Sequence, residues 1–229
     1  LVDDNEMSQD VETEPLRALG LEVELATDGA MALDKLQRGR YDIVLMDMQM
    51  PVMDGLAATR AIRRLPGLGA LPIVAMTANA MTGDRERCLE AGMNDYIAKP
   101  IDPDRLTAKL QQWIKPRPPG KPAVRPGGAA GATPSAAGRL DGIAGLDVPL
   151  GLRQALARET LYLSLLSKFI ATYSDAPLRL AGAIAESDWA VAERMAHTFK
   201  GVAAQIGAGE LRTLASQLEA AIRAGQPAA

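Results

Sequence analysis

The chain has 229 residues, 48% hydrophobic and only 3% aromatic, with a formal net charge of −3 and a pI near 5.3. That allows one or two ordinary cores of aliphatic side chains. It lacks the basic stripe of a nucleic-acid binder and the ~20-residue apolar run that spans a bilayer, and the single Cys88 excludes an internal disulfide or a cysteine-cluster metal site. No signal peptide is visible, so a cytoplasmic location is the default, with no membrane contact by this segment. The start at "LVDD" without methionine and the stop at "RAGQPAA" suggest a piece of a longer protein.

Along the first half, short apolar runs alternate with helix-period segments. "LVDD" reads as the stump of a first strand. "EMSQDVETEPLRALG" should hold the first helix, with Pro15 inside it, so that the helix is either kinked or begins near Thr13. Strand runs follow at "LEVELA" (21–26), "YDIVLMD" (41–47), "LPIVAMT" (71–77) and "DYIAK" (95–99). Helices lie between and after them: "GAMALDKLQRG" behind the N-cap Asp28, "GLAATRAIRRL", "TGDRERCLEAG" ending at Gly92, and "DPDRLTAKLQQWI" with an Asp cap. Strict alternation predicts a doubly wound parallel sheet covered on both faces.

Residues 115–139, rich in Pro, Gly and Ala, cannot bury a core and read as a disordered linker between domains at 1–114 and 140–229. The second domain shows no strand pattern. Its segments 151–173, 176–187, 188–206 and 209–225 read as helices, with Asp175 and Asp188 as N-cap candidates, so an all-α antiparallel bundle is expected.

The strands of the first domain end in Asp3-Asp4, Asp47, Thr77 and Lys99. Ends of parallel strands share one sheet edge, where open α/β sheets bind ligands. Three carboxylates brought together repel unless a cation intervenes, and oxygen-only donors suit Mg²⁺. A carboxylate, Mg²⁺, a hydroxyl and an ammonium form a set for phosphoryl transfer.

"LVDDNE", "DIVLMDMQMPVMDG", "PIVAMTANAM" and "DYIAKPI" closely resemble the receiver domain of two-component response regulators. The resemblance implies a five-stranded flavodoxin-like sheet of order 2-1-3-4-5, with a truncated first strand. It implies Asp47 as phosphoacceptor, and Asp3, Asp4, Asp47 and the backbone carbonyl of Gln49 as Mg²⁺ ligands. Thr77 and Lys99 would contact the phosphoryl group, Thr77 and Tyr96 would form the switch pair, and Lys99-Pro100 would be cis.

The only histidine, His197, lies in "AHTFKG". On a helical wheel Ala192, Met195, Ala196, Phe199, Val202, Ala203 and Ile206 form the apolar stripe, and His197 points away from it. Glu193, Lys200, Gly201 and Ala204 surround it on the outer face. Gly201 costs such a helix ~1 kcal/mol relative to alanine, which suggests close approach of something else.

"AHTFKGVAAQIGAGEL" resembles the histidine phosphotransfer (HPt) domain, whose signature is His-x-x-Lys-Gly on a bundle helix. The resemblance implies His197 as a second phosphoacceptor, Lys200 beside the phosphoryl group, and Gly201, Ala204 and Gln205 at the docking surface. It also implies one more C-terminal helix than this chain carries, leaving an apolar groove on the last two helices.

Together the two resemblances suggest the tail of a hybrid sensor histidine kinase. The partners would be a histidine kinase core, on the same parent chain, and a downstream response regulator, with no nucleic acid. The kinase core itself is not in this chain. A DNA-binding output, with 205–218 as helix-turn-helix, and a non-transferring scaffold are the alternatives. An aspartyl-phosphate hydrolase is disfavoured because Met48-Gln49 follows Asp47.

Overall fold

The computed structural model describes residues 1–77, 82–114, 140 and 142–225; the expected linker, 115–139, lies outside them. The chain divides into two compact units, Leu1–Thr133 and Pro134–Ala229. Among the described residues no helix is long and apolar enough to cross a membrane.

The first unit runs α1 (Glu6–Ala18), α2 (Gly29–Arg38), β1 (Val44–Asp47), α3 (Gly55–Arg64), β2 (Ile73–Thr77), α4 (Thr82–Glu90), β3 (Asp95–Ala98) and α5 (Pro103–Trp113). The strands form a parallel sheet of order β1-β2-β3, with Asp47 opposite Met76 and Thr77 opposite Ala98. Successive side chains point to opposite faces. Val44, Met46, Ile73 and Ala75 therefore pack with Leu36 of α2 and Leu56, Ala58 and Ile62 of α3. Leu45, Val74, Met76 and Ile97 pack on the other face with Leu16 of α1 and Leu106 and Leu110 of α5. Both faces being covered explains why the strands are continuously apolar.

Among the described residues three strands are seen where five were expected. The segments at 1–3 and 21–26 contribute single parallel bridges, Val2 with Ala26 and Val2 with Met46. Val2 donates to the Leu45 carbonyl and Asp3 to that of Ala26, at 2.8 and 3.0 Å. The 1–3 segment pairs through Val2 alone and so forms no ladder. Its bonds still fix Asp3 at the sheet edge.

Of the two alternatives for α1, the late start is not seen. The helix starts at Glu6, not near Thr13, and runs on through Pro15, with Asn5 as N-cap accepting from the Ser8 N–H. Proline inside a helix costs ~3 kcal/mol. Burial of Met7, Val11, Leu16 and Pro15 itself offsets that cost. The caps expected at Asp28 and Asp102 are present and accept from main-chain N–H groups.

The second unit is all-helical: α6 (Val148–Gln154), α7 (Glu159–Tyr173), α8 (Ala176–Ala185), α9 (Trp189–Ile206) and α10 (Gly209–Gly225). The single helix expected over 151–173 is broken, because Leu156 and Ala157 take φ of 57° and 55°, which a right-handed helix cannot contain. Asp188 caps α9 through the Val191 N–H, whereas Asp175 makes no side-chain cap bond.

Helix α9 lies against α10, α8, α6 and α7. At its end Gly207 has φ 81°, and a Cβ there would come within 2.2 Å of the Asp147 carbonyl oxygen. The Tyr162 hydroxyl donates to the Ile206 carbonyl at 3.0 Å and ties α7 to the same point. Ala192, Ala196 and Ile222 share a core with Ala183, which turns the apolar faces of α9 and α10 inward. A groove does open on this unit, lined in part by Tyr173, Ala183, Val191, Met195 and Phe199, and it lies along α8 and α9 rather than over α10. Among the described residues Leu214 is the large apolar side chain that α9 and α10 leave exposed.

Candidate functional site

Three loops deliver the first site to one sheet edge. Asp3 and Asp4 leave the first bridge, Asp47 ends β1, and Lys99 follows β3 at the cis Lys99-Pro100 bond. The start of α3 crowds in from the side. A Cβ on Gly55 would lie 2.2 Å from the Asp47 carbonyl oxygen, so only glycine fits there. Asp3, Asp47 and Thr77 are all buried.

Asp3, Asp4 and Asp47 each offer a carboxylate oxygen, and these oxygens lie within 4.8 Å of one another. This all-oxygen set fits a hard divalent cation. The Lys99 ammonium donates to Asp47 Oδ2 at 2.7 Å and also to Asp3 Oδ2. Main-chain N–H groups orient the other oxygens: Asn5 donates to Asp3 Oδ1 at 2.8 Å, and Gln49 to Asp47 Oδ1 at 3.3 Å. Tyr96 on β3 is partly buried against the α2/α3 core.

One group was not foreseen. Glu12, on the inner face of α1, is 2% exposed and places Oε1 3.6 Å from the Lys99 ammonium. Burial pushes its carboxyl up to about 8 and that of Asp3 up to about 6, against the pull of Lys99 in both cases. Burial disfavours the Lys99 ammonium too, but Asp47, Glu12 and Asp3 outweigh it and hold that group well above the ordinary lysine value.

An acid with a higher pKa folded than unfolded keeps more protons in the folded state. Raising the pH from about 4.5 through about 8 therefore removes stability that Glu12 contributes below that window. Glu12→Gln should raise the melting temperature of the first unit by roughly 5 °C at pH 8.5 and far less at pH 5. Melting curves at the two pH values check this, and an equal shift at both would exclude titration of Glu12 as its cause.

The second site sits between α9 and α10. His197 Nδ1 lies 2.8 Å from Glu219 Oε1, and the Lys200 ammonium donates to Glu219 Oε2. Arg223 donates from Nη2 to Glu219 Oε1 at 2.8 Å and from Nε to Glu193 Oε1 at 2.6 Å. Glu219 itself is buried. Burial alone would raise its pKa, but the bonds from His197 and Lys200 outweigh burial and bring it down to about 2.

The surface around His197 is narrower than the wheel suggested. The histidine side chain is 16% exposed and that of Lys200 13%. Ala204 and Gln205, expected at a docking surface, are buried at 7% and 3%. The wheel of α9 alone could not include α10, which covers that flank. Gly201 remains partly open, and a Cβ there would meet nothing within 4 Å.

Comparison with known proteins agrees with both halves. The model of the response regulator receiver domain matches residues 1–111, and that of the Hpt domain matches 164–229. The chain is similar to hybrid signal transduction histidine kinase I of Dictyostelium discoideum, 42% identical over 121 residues, covering 50% of this chain and 7% of that one. It is similar to the histidine-protein kinase BarA of Escherichia coli, 40% identical over 112 residues, covering 49% and 12%. The chain thus spans only a small part of these relatives.

Among solved structures it is similar to the receiver domain of the sensor histidine kinase PA1611 of Pseudomonas aeruginosa, which has a magnesium ion coordinated in its active-site cleft. Identity is 50%, coverage 49% of this chain and 93% of that one, and the TM-score 0.47. The Hpt match spans α9 and α10, and so displaces the helix-turn-helix alternative. Residues 1–111 are a response regulator receiver domain and residues 164–229 an Hpt domain, and the chain belongs to the two-component phosphorelay proteins.

Proposed function

We propose that Asp47 and His197 are successive phosphoryl carriers in a His–Asp relay. The observation that carries this reading is the pocket at the sheet edge, where Asp47 is paired with Lys99 beside the carboxylates of Asp3 and Asp4. Asp3, Asp4 and Asp47, with the Gln49 carbonyl, would hold Mg²⁺, which when bound neutralises charge on the phosphoryl oxygens.

Asp47 Oδ attacks the phosphorus of a phosphoimidazole. The P–N bond breaks and its electron pair returns to the ring nitrogen. Lys99 turns from Asp47 to the phosphoryl oxygens, the Thr77 hydroxyl donates to them, and Thr77 and Tyr96 report the change as the switch pair.

At the second site the Glu219 carboxylate accepts from His197 Nδ1–H. That leaves the lone pair on Nε2, the atom that takes the phosphoryl group as the Asp47–phosphate P–O bond breaks. Lys200 supplies positive charge beside it, and Gly201 leaves room for a partner. Phosphate arrives from the histidine kinase core of a hybrid-kinase parent and passes to a downstream response regulator. The functional modules are 1–114 and 140–229, joined through 115–139.

The test is to incubate the chain with an acyl phosphate and Mg²⁺ and assay the linkages formed. Two labels are expected, an acyl phosphate labile to base and a phosphoimidazole labile to acid. A label resistant to both, or none, would overturn the reading.

A further inference from the structure

We propose that Glu12 is a positioning residue, seating the Lys99 ammonium from the rear of the receiver pocket so that Lys99 can release Asp47 for reaction. The inference rests on Asp47 being the phosphoacceptor.

An ammonium has three N–H donors and no acceptor. Asp3 Oδ2 and Asp47 Oδ2 take two of those of Lys99. The third acidic oxygen close to Nζ is Oε1 of Glu12, at 3.6 Å. This is just beyond hydrogen-bond length, so a small swing of the lysine closes it. Neither Glu12 oxygen has a hydrogen-bond partner in the resting pocket, although the side chain is almost wholly buried. A buried polar group left in that condition is costly, and the side-chain cation paired with it is Lys99.

The other two partners of Lys99 have further duties. Asp3 and Asp47 belong to the cluster whose oxygens lie within 4.8 Å of one another; Glu12 does not. The ammonium ties up Asp47 Oδ2 and draws charge from the carboxylate, so releasing Lys99 makes Asp47 the better nucleophile. If Lys99 then gains Glu12 as it loses Asp47, its number of acceptors is kept and release becomes cheap. Without Glu12, release leaves a buried ammonium short of one acceptor.

The carboxyl serves here as an acceptor, not as a charge, since the carbonyl oxygen of a protonated acid still accepts. Burial pushes Glu12 up to about 8, so glutamine is its close mimic near neutral pH.

Initial rates of Asp47 labelling by an acyl phosphate at saturating Mg²⁺, in the full chain, test this. In the step, the Asp47 oxygen bonds to phosphorus, the donor's P–O bond breaks, and its electron pair leaves with the donor carboxylate. Glu12→Gln should label within about twofold of wild type, and Glu12→Leu about tenfold more slowly, as expected for one lost bond to a charged group. In a Lys99→Ala background, Glu12→Leu should change nothing further.

The isosteric glutamine variant controls for folding. A Glu12→Leu rate equal to wild type, a Glu12→Gln rate as low as that of Glu12→Leu, or an undiminished leucine effect without Lys99 would each overturn the proposal. If Asp47→Asn also labels like wild type, the acceptor assignment falls and the role of Glu12 falls with it. If it does not label, failure of the Glu12 variants counts against Glu12 alone.

Discussion

Asp47→Asn should keep the receiver folded and take up label from an acyl phosphate at least a hundredfold more slowly than wild type. The substitution keeps side-chain volume and leaves the Asp47 N–H, which donates to the Val2 carbonyl at 2.9 Å, untouched. It removes the nucleophile, because an amide oxygen or nitrogen does not attack phosphorus at a useful rate. Lys99 loses one partner but retains Asp3, with Glu12 close by, so the ammonium stays in place. The readout is the base-labile label on the receiver. Labelling of the variant at the wild-type rate would move the acceptor elsewhere.

Glu219→Gln should lower phosphoryl acceptance by His197 about a hundredfold while the bundle stays helical. The carboxylate does two things at once: it fixes the proton on Nδ1, and it anchors the Lys200 ammonium. Misassigned tautomers in histidine-dependent active sites cost orders of magnitude in rate. With its pKa brought down to about 2, Glu219 stays ionised through the neutral range. The stability it contributes is present above its unfolded value near 4.5 and fades as pH falls toward 2. The acid-labile label, followed after mixing with a phosphorylated receiver, measures the effect. Transfer at the wild-type rate would make Glu219 a structural partner of the histidine and nothing more.

The two sites differ in how far the sequence exposed them. The receiver pocket was legible because parallel strands carry their C-terminal ends to one edge, so Asp47, Thr77 and Lys99 could be placed together from strand order alone. Glu12 was not, because "SQDVETE" reads as a solvated polar face; its burial follows from how α1 lies on the sheet.

In the second unit the wheel of α9 gave the buried stripe correctly for Ala192, Ala196, Phe199, Val202, Ala203 and Ile206. It missed the flank covered by α10. Glu219 lies 22 residues from His197, in a segment that alone reads as an amphipathic helix. Only the packing of α10 on α9 shows it to be the histidine's partner. The break at Leu156 and Ala157 was hidden for another reason, since neither residue is a usual breaker and nothing in the local composition marks a turn.

Gly201 offers a last contrast. Gly55 and Gly207 are demanded by backbone oxygens that a methyl group would strike, whereas at 201 the methyl would meet nothing. The fold alone would therefore accept alanine there, and helix propensity would favour it by ~1 kcal/mol. A screen that ranks variants of the isolated chain by thermal survival would consequently score this glycine as a defect to be repaired. Any constraint that keeps it must come from outside the monomer, as a property of the encounter, and would appear only in a selection that requires two proteins to meet.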